Sequence, residues 1–167
     1  TDQISVAGKI NTALSFNGVR DETGDVIDCG NDNSLELQTF SISAWVYATE
    51  FLNWAGIVSM TNNLWTDGYG LMWQGDYVWF YANHWSQGAV KAPLANTEIN
   101  TWYHVVGTFD GTTVRIFLNG VESQVRQMTS LNKDKAPIAY SGRPFLIGDI
   151  PYTASETPWN WRGRIDN

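Results

Sequence analysis

The sequence predicts an all-β domain, a β-sandwich or a barrel, and three observations lead there. Segments of roughly four to eight residues alternate apolar and polar side chains and recur about every ten residues, the pattern of strands in a sandwich or barrel. Gly, Asn and Asp clusters separate these segments, and apolar residues seldom recur at the spacing of a helix face. At 167 residues the chain fits one domain, long enough to bury roughly 70% of its unfolded surface without help from a disulfide or a metal.

Ala13–Asn17 and Val26–Cys29 are the first two strands, each short and bounded by Gly, Asn or Asp. Phe40–Ala48, Gly56–Met60, Tyr69–Gln74 and Tyr77–Asn83 follow, the last two joined by Gly75-Asp76. In Tyr77–Asn83, Val78, Phe80 and Ala82 share one face while Tyr77, Trp79 and Tyr81 share the other, so neither face suits bare water. One face must be core; the other is covered by loops or serves as a ligand platform. Trp102–Asp110 and Thr113–Asn119 form a hairpin through Asp110-Gly111, with Val114, Ile116 and Leu118 inward and Arg115 and Phe117 outward. Asn119-Gly120 is a second turn signal. Ser123–Pro144, with Lys133, Asp134, Lys135, Pro137 and Gly142, lacks clean alternation and reads as an exposed loop. Phe145–Asp149 and a segment from Gly163 are the last strands.

A net charge of −7 disfavours nucleic acid and anionic membrane surfaces, whose binders gain affinity by neutralising phosphates with Lys and Arg. No apolar run reaches the roughly 18 residues of a membrane helix, and Thr1 opens no signal peptide, so the chain reads as a piece of a larger protein. Cys29 is the sole cysteine. Beside Val26 and Ile27 it is expected to be a small buried hydrophobe.

Six phrases in order are similar to a known family. They are Ala13-Leu14-Ser15-Phe16-Asn17-Gly18, Val26-Ile27-Asp28-Cys29-Gly30-Asn31-Asp32, Phe40-Ser41-Ile42-Ser43-Ala44-Trp45-Val46, Trp102 through Gly111, Val114 through Gly120, and Gly163-Arg164-Ile165-Asp166. Together they resemble the laminin-G-like, concanavalin A-like jelly-roll domain over nearly the whole of residues 1–167. The resemblance implies two curved antiparallel sheets, often an accessory module of secreted or surface-attached bacterial polysaccharide-degrading enzymes and adhesins. It places Trp45 and Trp102, with Phe16, Phe40, Phe109 and Phe145, in the core. It also implies a structural Ca²⁺, a clip on the fold, with Asn17, the Gly18 carbonyl, Asp28 and Asp166 as candidate ligands. In the family a further strand follows the Ile-Asp phrase beside the N-terminal one; its absence here would leave Ala13–Asn17 short of a partner.

Catalysis is not expected. Glycoside hydrolysis needs two carboxyl groups facing one sugar bond, whereas Glu98, Glu122, Asp149 and Glu156 are scattered singly and Asp21, Glu22, Asp25 and Asp28 crowd a Gly-containing turn region. No Gly-x-Ser-x-Gly elbow occurs, and one Cys with two separated His excludes a zinc site. His104 is expected to be packed and hydrogen-bonded in place. His84, beside Asn83 and Trp85, is a candidate donor to a sugar hydroxyl.

The nine tryptophans carry the functional reading. An indole face stacks on the C–H face of a sugar ring, and Trp is seldom fully buried. Trp54, Trp65, Trp85, Trp159 and Trp161 lie in loops or at strand ends among Asn, Thr, Ser and Gly. The expected partner is a polysaccharide or oligosaccharide, held by Trp65, Tyr77, Trp79, Tyr81, Asn83, His84, Trp85, Arg115, Trp159, Trp161 and Arg162, with Tyr152 near the last group. Arg115, Arg143, Arg162 and Arg164 are candidates for a local basic spot that would take a sulfate or carboxylate. The expected setting is extracellular or cell-surface, tethered to other domains of a parent enzyme or adhesin. The alternatives are a laminin-G-type protein-recognition module and, behind it, an unusual glycosidase.

Overall fold

The alternation read from the sequence becomes two faces on each of two sheets. The computed structural model describes residues 5–19, 23–50, 52–94, 98–128, 137–151 and 159–166. The larger sheet has seven strands: β1 (Ser5–Ala7), β2 (Thr12–Asn17), β13 (Arg162–Asp166), β4 (Phe40–Ala48), β9 (Trp102–Phe109), β10 (Thr113–Leu118) and β11 (Val121–Gln127), in that spatial order. The smaller has six: β3 (Ile27–Asp28), β12 (Leu146–Ile147), β5 (Asn53–Met60), β6 (Tyr69–Gln74), β7 (Tyr77–Ala82) and β8 (Ala89–Pro93). Every pairing is antiparallel. One helical turn, α1 (Trp85–Gly88), and a 3₁₀ turn at Asn33–Leu35 complete the elements.

The sheets meet through their inward rows. Ala44, Val46 and Ala48 of β4, Tyr103, Val105 and Phe109 of β9, and Val114 and Ile116 of β10 face Leu71 and Trp73 of β6 and Val78, Phe80 and Ala82 of β7. Each large side chain so buried contributes about 1.5–3 kcal/mol. The Asp110-Gly111 hairpin forms as the sequence predicts, its Asp110 carboxylate accepting from the Thr112 and Thr113 amides, contacts that hold this carboxyl below the usual carboxylate range. At Asn119 (φ 50°) and Gly120 (φ 82°) both residues take left-handed backbone, the two-residue turn that strand twist favours in a hairpin.

Four sequence expectations are overturned. Part of Ser123–Pro144 is not loop: β11 is an edge strand, and every one of its residues is exposed, so with both faces wet it shows no apolar alternation to read. Lys133, Asp134 and Lys135 lie outside the described residues. β2 is not short of a partner, since β1 and β13 flank it. Cys29 is exposed, because it follows a two-residue edge strand and its amide is tied to the Phe145 carbonyl at 2.9 Å. Trp45 and Trp102 are half-buried on the outer face of the seven-stranded sheet; strand parity sends the small and branched Ala44, Val46 and Ala48 inward, which turns Trp45 and Tyr47 outward. Phe16 and Phe109 are buried in the core, with Phe40 and Phe145 packed against it.

Toward its N-terminal end, β4 outruns β13: Asp166 stands opposite Trp45, and Phe40–Ala44 pair only with β9. An apolar cavity of about 330 Å³ opens between the sheets there, lined by Leu35, Leu37, Ile42, Tyr69, Phe145 and Ile165 among others. Burial pushes the Tyr69 phenol up to about 12, and its hydroxyl donates to the Leu35 carbonyl at 3.1 Å.

Candidate functional site

The outer face of the six-stranded sheet should be polar if it met only water. Instead it carries a second apolar cluster: Trp65, Met72, Tyr81, Ala89 and Ile150 form its buried floor, and Trp54, Trp79, Trp85 and Trp159 pack over them half-buried. Five indoles thus come into mutual contact. Trp54 stacks on Trp159 with centroids 5.0 Å apart and planes inclined by 25°, and meets Trp65 at 5.4 Å and Trp85 at 5.6 Å. Trp65 is 5.2 Å from Trp159. Trp79 is 4.8 Å from Trp85, and Trp85 in turn stands edge-on to Tyr81 at 5.8 Å.

Local backbone devices put these rings together. Trp54 is the extra residue of a β-bulge: Asn53 pairs with Gln74 and Ala55 with Trp73, leaving nothing opposite Trp54. Its φ of 63° is left-handed, as is that of Trp65 at 54°, a conformation costly for bulky side chains and concentrated at functional sites. The 61–67 turn that carries Trp65 is wound tightly: the Asn62 carboxamide oxygen accepts from the Leu64 and Thr66 amides, and the Asp67 carboxylate accepts from the Asn62 amide. Trp65 Nε1 donates to the Pro151 carbonyl at 2.7 Å. Gly56 lets the next layer settle: a Cβ there would lie 2.1 Å from the Asp149 carbonyl carbon, while the Gly56 amide donates to the Trp159 carbonyl at 2.8 Å. So the chain after β12 crosses the outside of β5 and delivers Ile150 and Trp159 to the cluster.

Tyr77 continues the platform at the cluster's margin, 6.2 Å from Trp79, and the Lys91 ammonium sits 4.0 Å from the Tyr77 ring centre and 5.1 Å from that of Trp79. This is a cation–π contact on the same face. Beneath, desolvation pushes the Tyr81 phenol far above its ordinary value, against a pull from the Thr61 hydroxyl. The Trp79 indole N–H is enclosed without a hydrogen-bond partner among the described residues.

Of the predicted ligand-binding residues, then, Trp65, Tyr77, Trp79, Tyr81, Trp85 and Trp159 are brought together, and Trp54 joins them. Tyr81 and Trp65 form floor, not platform, being almost wholly buried. Asn83 and His84 adjoin the cluster but are used by the fold: the Asn83 side-chain oxygen accepts from the Ala139 amide, and His84 Nδ1 accepts from the Ser86 amide, capping α1. Trp161 is not a platform. It is fully buried in the core against Trp73 at 5.8 Å. Arg115 and Arg162 belong to the other sheet and are paired, with Glu122 at 3.0 Å and Glu50 at 2.7 Å. Arg164 lies against Tyr47 instead. Tyr152, Glu156, Asp21 and Glu22 lie outside the described residues.

The four candidate calcium ligands do not form one coordination shell. Asn17 pairs with Arg162 at one end of β13, while Asp166 stands at the other; that separation is roughly 13 Å at the rise of a strand, against about 2.3–2.6 Å from a calcium ion to each ligand. Asp166 accepts from the Ile10 amide at 2.6 Å, and Asp28 lies in the opposite sheet with its carboxylate on the Gly30 amide. No group of three or more His, Cys, Asp and Glu able to hold a metal occurs among the described residues.

The sequence of residues 21–167 matches the profile of the concanavalin A-like lectin/glucanases superfamily. No curated protein sequence matches the chain. Solved structures show the same fold at low identity. The carbohydrate-binding module CBM40 of the Ruminococcus gnavus IT-sialidase, solved with α2,3-sialyllactose, has a TM-score of 0.62 at 13% identity over 89% of this chain and 87% of that one. Domain 4 of AbnA, an extracellular arabinanase of Geobacillus stearothermophilus solved with arabinotriose, gives 0.54 at 17% identity over 97% and 71%. The SAP-like pentraxin of Limulus polyphemus gives 0.61 at 15% identity over 92% and 72%. Two sheets in this order, the six phrases that form them and the profile match over residues 21–167 agree, and the chain belongs to the concanavalin A-like lectin/glucanase superfamily.

Proposed function

We propose that this chain is a non-catalytic carbohydrate-binding module whose ligand rests on the outer indoles of the six-stranded sheet. The observation that carries the reading is the cluster of Trp54, Trp79, Trp85 and Trp159, half-buried on a sheet face, with Trp54 held in costly left-handed backbone. Strained backbone of this kind clusters at functional sites, where it fixes the orientation of a ring. Structures of the same fold solved with sialyllactose and arabinotriose support a saccharide as the ligand class. We place the module in a secreted or surface-attached protein, tethered to a polysaccharide-degrading enzyme whose substrate it holds close. No helix among the described residues is long and apolar enough to cross a membrane. The non-catalytic reading is supported by the placement of the carboxylates: Glu122 is paired with Arg115 and Asp149 is buried, so the two are not a pair of free carboxyl groups facing one sugar bond.

Affinity electrophoresis against neutral plant, fungal and algal polysaccharides, with calorimetry on sialyllactose and arabinotriose, tests this. At least one should bind, and Trp79→Ala or Trp85→Ala should weaken it by about 10- to 30-fold, the loss of one stacked ring at ~25 cal/mol per Å². No retardation and no heat with any of them, in a protein that remains folded, would leave a protein-recognition module as the better reading. Release of reducing sugar abolished by a carboxylate substitution would make it an enzyme.

A further inference from the structure

The outer face of the seven-stranded sheet is also aromatic where water-facing strands should be polar. Cross-strand register lines Arg164 of β13 beside Tyr47 of β4 and Tyr47 beside Trp102 of β9; one step along, Trp45 lies beside His104. Tyr47 and Trp102 are 5.2 Å apart, and Trp45 and the His104 ring 4.9 Å apart with planes inclined by 30°. His104 is fixed by its Nε2 contact to the Ser43 hydroxyl at 2.9 Å and by its amide, which donates to the Asn119 side-chain oxygen. Neighbouring rows along the strands are about 7 Å apart, so the rings form a band and not a point.

Charge on this face departs from that of the chain. Among the described residues, three of its carboxylates are engaged: Glu50 with Arg162, Glu122 with Arg115, Asp166 with the Ile10 amide. Two cations have no carboxylate partner among the described residues. Lys9 places its ammonium 5.2 Å from the Trp45 ring centre, and Arg164 its guanidinium 5.1 Å from that of Tyr47, with one guanidinium N–H on the Ala7 carbonyl at 3.3 Å. On a protein of net charge −7, a half-buried aromatic band edged by two cations with no carboxylate partner is complementary to a ligand that offers a flat C–H face and a negative group together.

We infer that this face is a second binding surface, for an acidic glycan whose rings stack on Trp102 and Trp45 while its carboxylates or sulfates meet Arg164 and Lys9. Stacking supplies desolvated area and Arg164 a charge-assisted contact suited to a planar carboxylate. The surface is independent of the tryptophan cluster on the opposite sheet.

The test is affinity electrophoresis in gels holding polygalacturonate, its fully methyl-esterified form, dextran sulfate or dextran. Retardation is expected with at least one acidic polymer, weaker with its uncharged counterpart, and falling as salt is raised. Trp102→Ala and Arg164→Gln should each reduce it about tenfold or more, Trp102→Phe should restore most of it, and Trp85→Ala should leave it unchanged. Near-UV circular dichroism and thermal melting confirm that each variant is folded. Absence of retardation by both acidic polymers overturns the inference. So does loss in Arg164→Gln with none in Trp102→Ala, which would mean charge attraction without a stacked site, or loss confined to Trp85→Ala. Concentration-dependent dimerisation that Trp102→Ala abolishes would assign the face to a second copy of the chain and equally overturn it.

Discussion

At the scale of single residues, burial decides what a side chain can do. Asp149 is 7% exposed, and its Oδ1 has no hydrogen-bond partner among the described residues. Desolvation raises its carboxyl from an ordinary 3.8 to about 6, against a downward pull from the Ile150 and Trp159 amides. A carboxyl raised in the folded state holds its proton there more tightly than in the unfolded chain, so its contribution is fully present below about pH 4 and is lost as pH rises through about 6. Replacing it by a neutral isostere should remove that loss. Asp149→Asn is expected to raise unfolding free energy at pH 7.5 by up to about 3 kcal/mol and to change little at pH 4, as urea denaturation at the two pH values would report; an equal effect at both would assign the gain to packing. The same scale explains Trp161. Its neighbours in sequence, Asn160 and Arg162, gave it the polar flanks of an exposed ring, but the segment before β13 turns it into the core; flanking polarity does not reveal side-chain direction in an irregular stretch.

At the scale of elements, strands that bury a row of side chains between the sheets were legible, and three of the edge strands were not. β4, β6, β7, β9 and β10 stand close to where alternation puts them, because each buries one row between the sheets. β1, β8 and β11 escaped because edge strands lack that contrast: β11 is wet on both faces, and β8 is five residues ending in a proline. Parity also sorted Trp79 from Phe80 correctly, and the bulge at Trp54 could not be foreseen, since nothing in Asn53-Trp54-Ala55 announces a residue without an opposite. β9 offers a test of sheet spacing. A Cβ on Gly107 would come within 2.4 Å of the Phe80 ring, from the facing sheet. Gly107→Ala should destabilise by about 1–3 kcal/mol through overpacking, measured as a lowered melting temperature, and Phe80→Leu should recover part of it if the ring is the obstacle.

For the whole molecule, the consequence of the architecture is that its aromatic surfaces lie on opposite outer faces, one on each sheet. The fold was legible from six phrases in register; the candidate sites were half legible, because aromatic clusters assemble from strands distant in sequence and only the pairing register tells which rings share a face. The Trp45 and Trp102 band was hidden for that reason inside phrases expected to be core. If both faces bind glycan as proposed, one chain should bridge two polymers. Mixed with a neutral glycan that binds the indole cluster and an acidic one that binds the other sheet, the protein is expected to co-precipitate both, and either Trp85→Ala or Trp102→Ala should abolish co-precipitation while sparing one polymer's binding. Between those surfaces runs the rim of the sandwich, and Cys29, the only sulfhydryl in the chain, stands exposed there just after the outermost strand of the smaller sheet. Maleimide chemistry at that one atom can fasten the protein to a sensor edgewise, leaving its two broad sides open to solution at once.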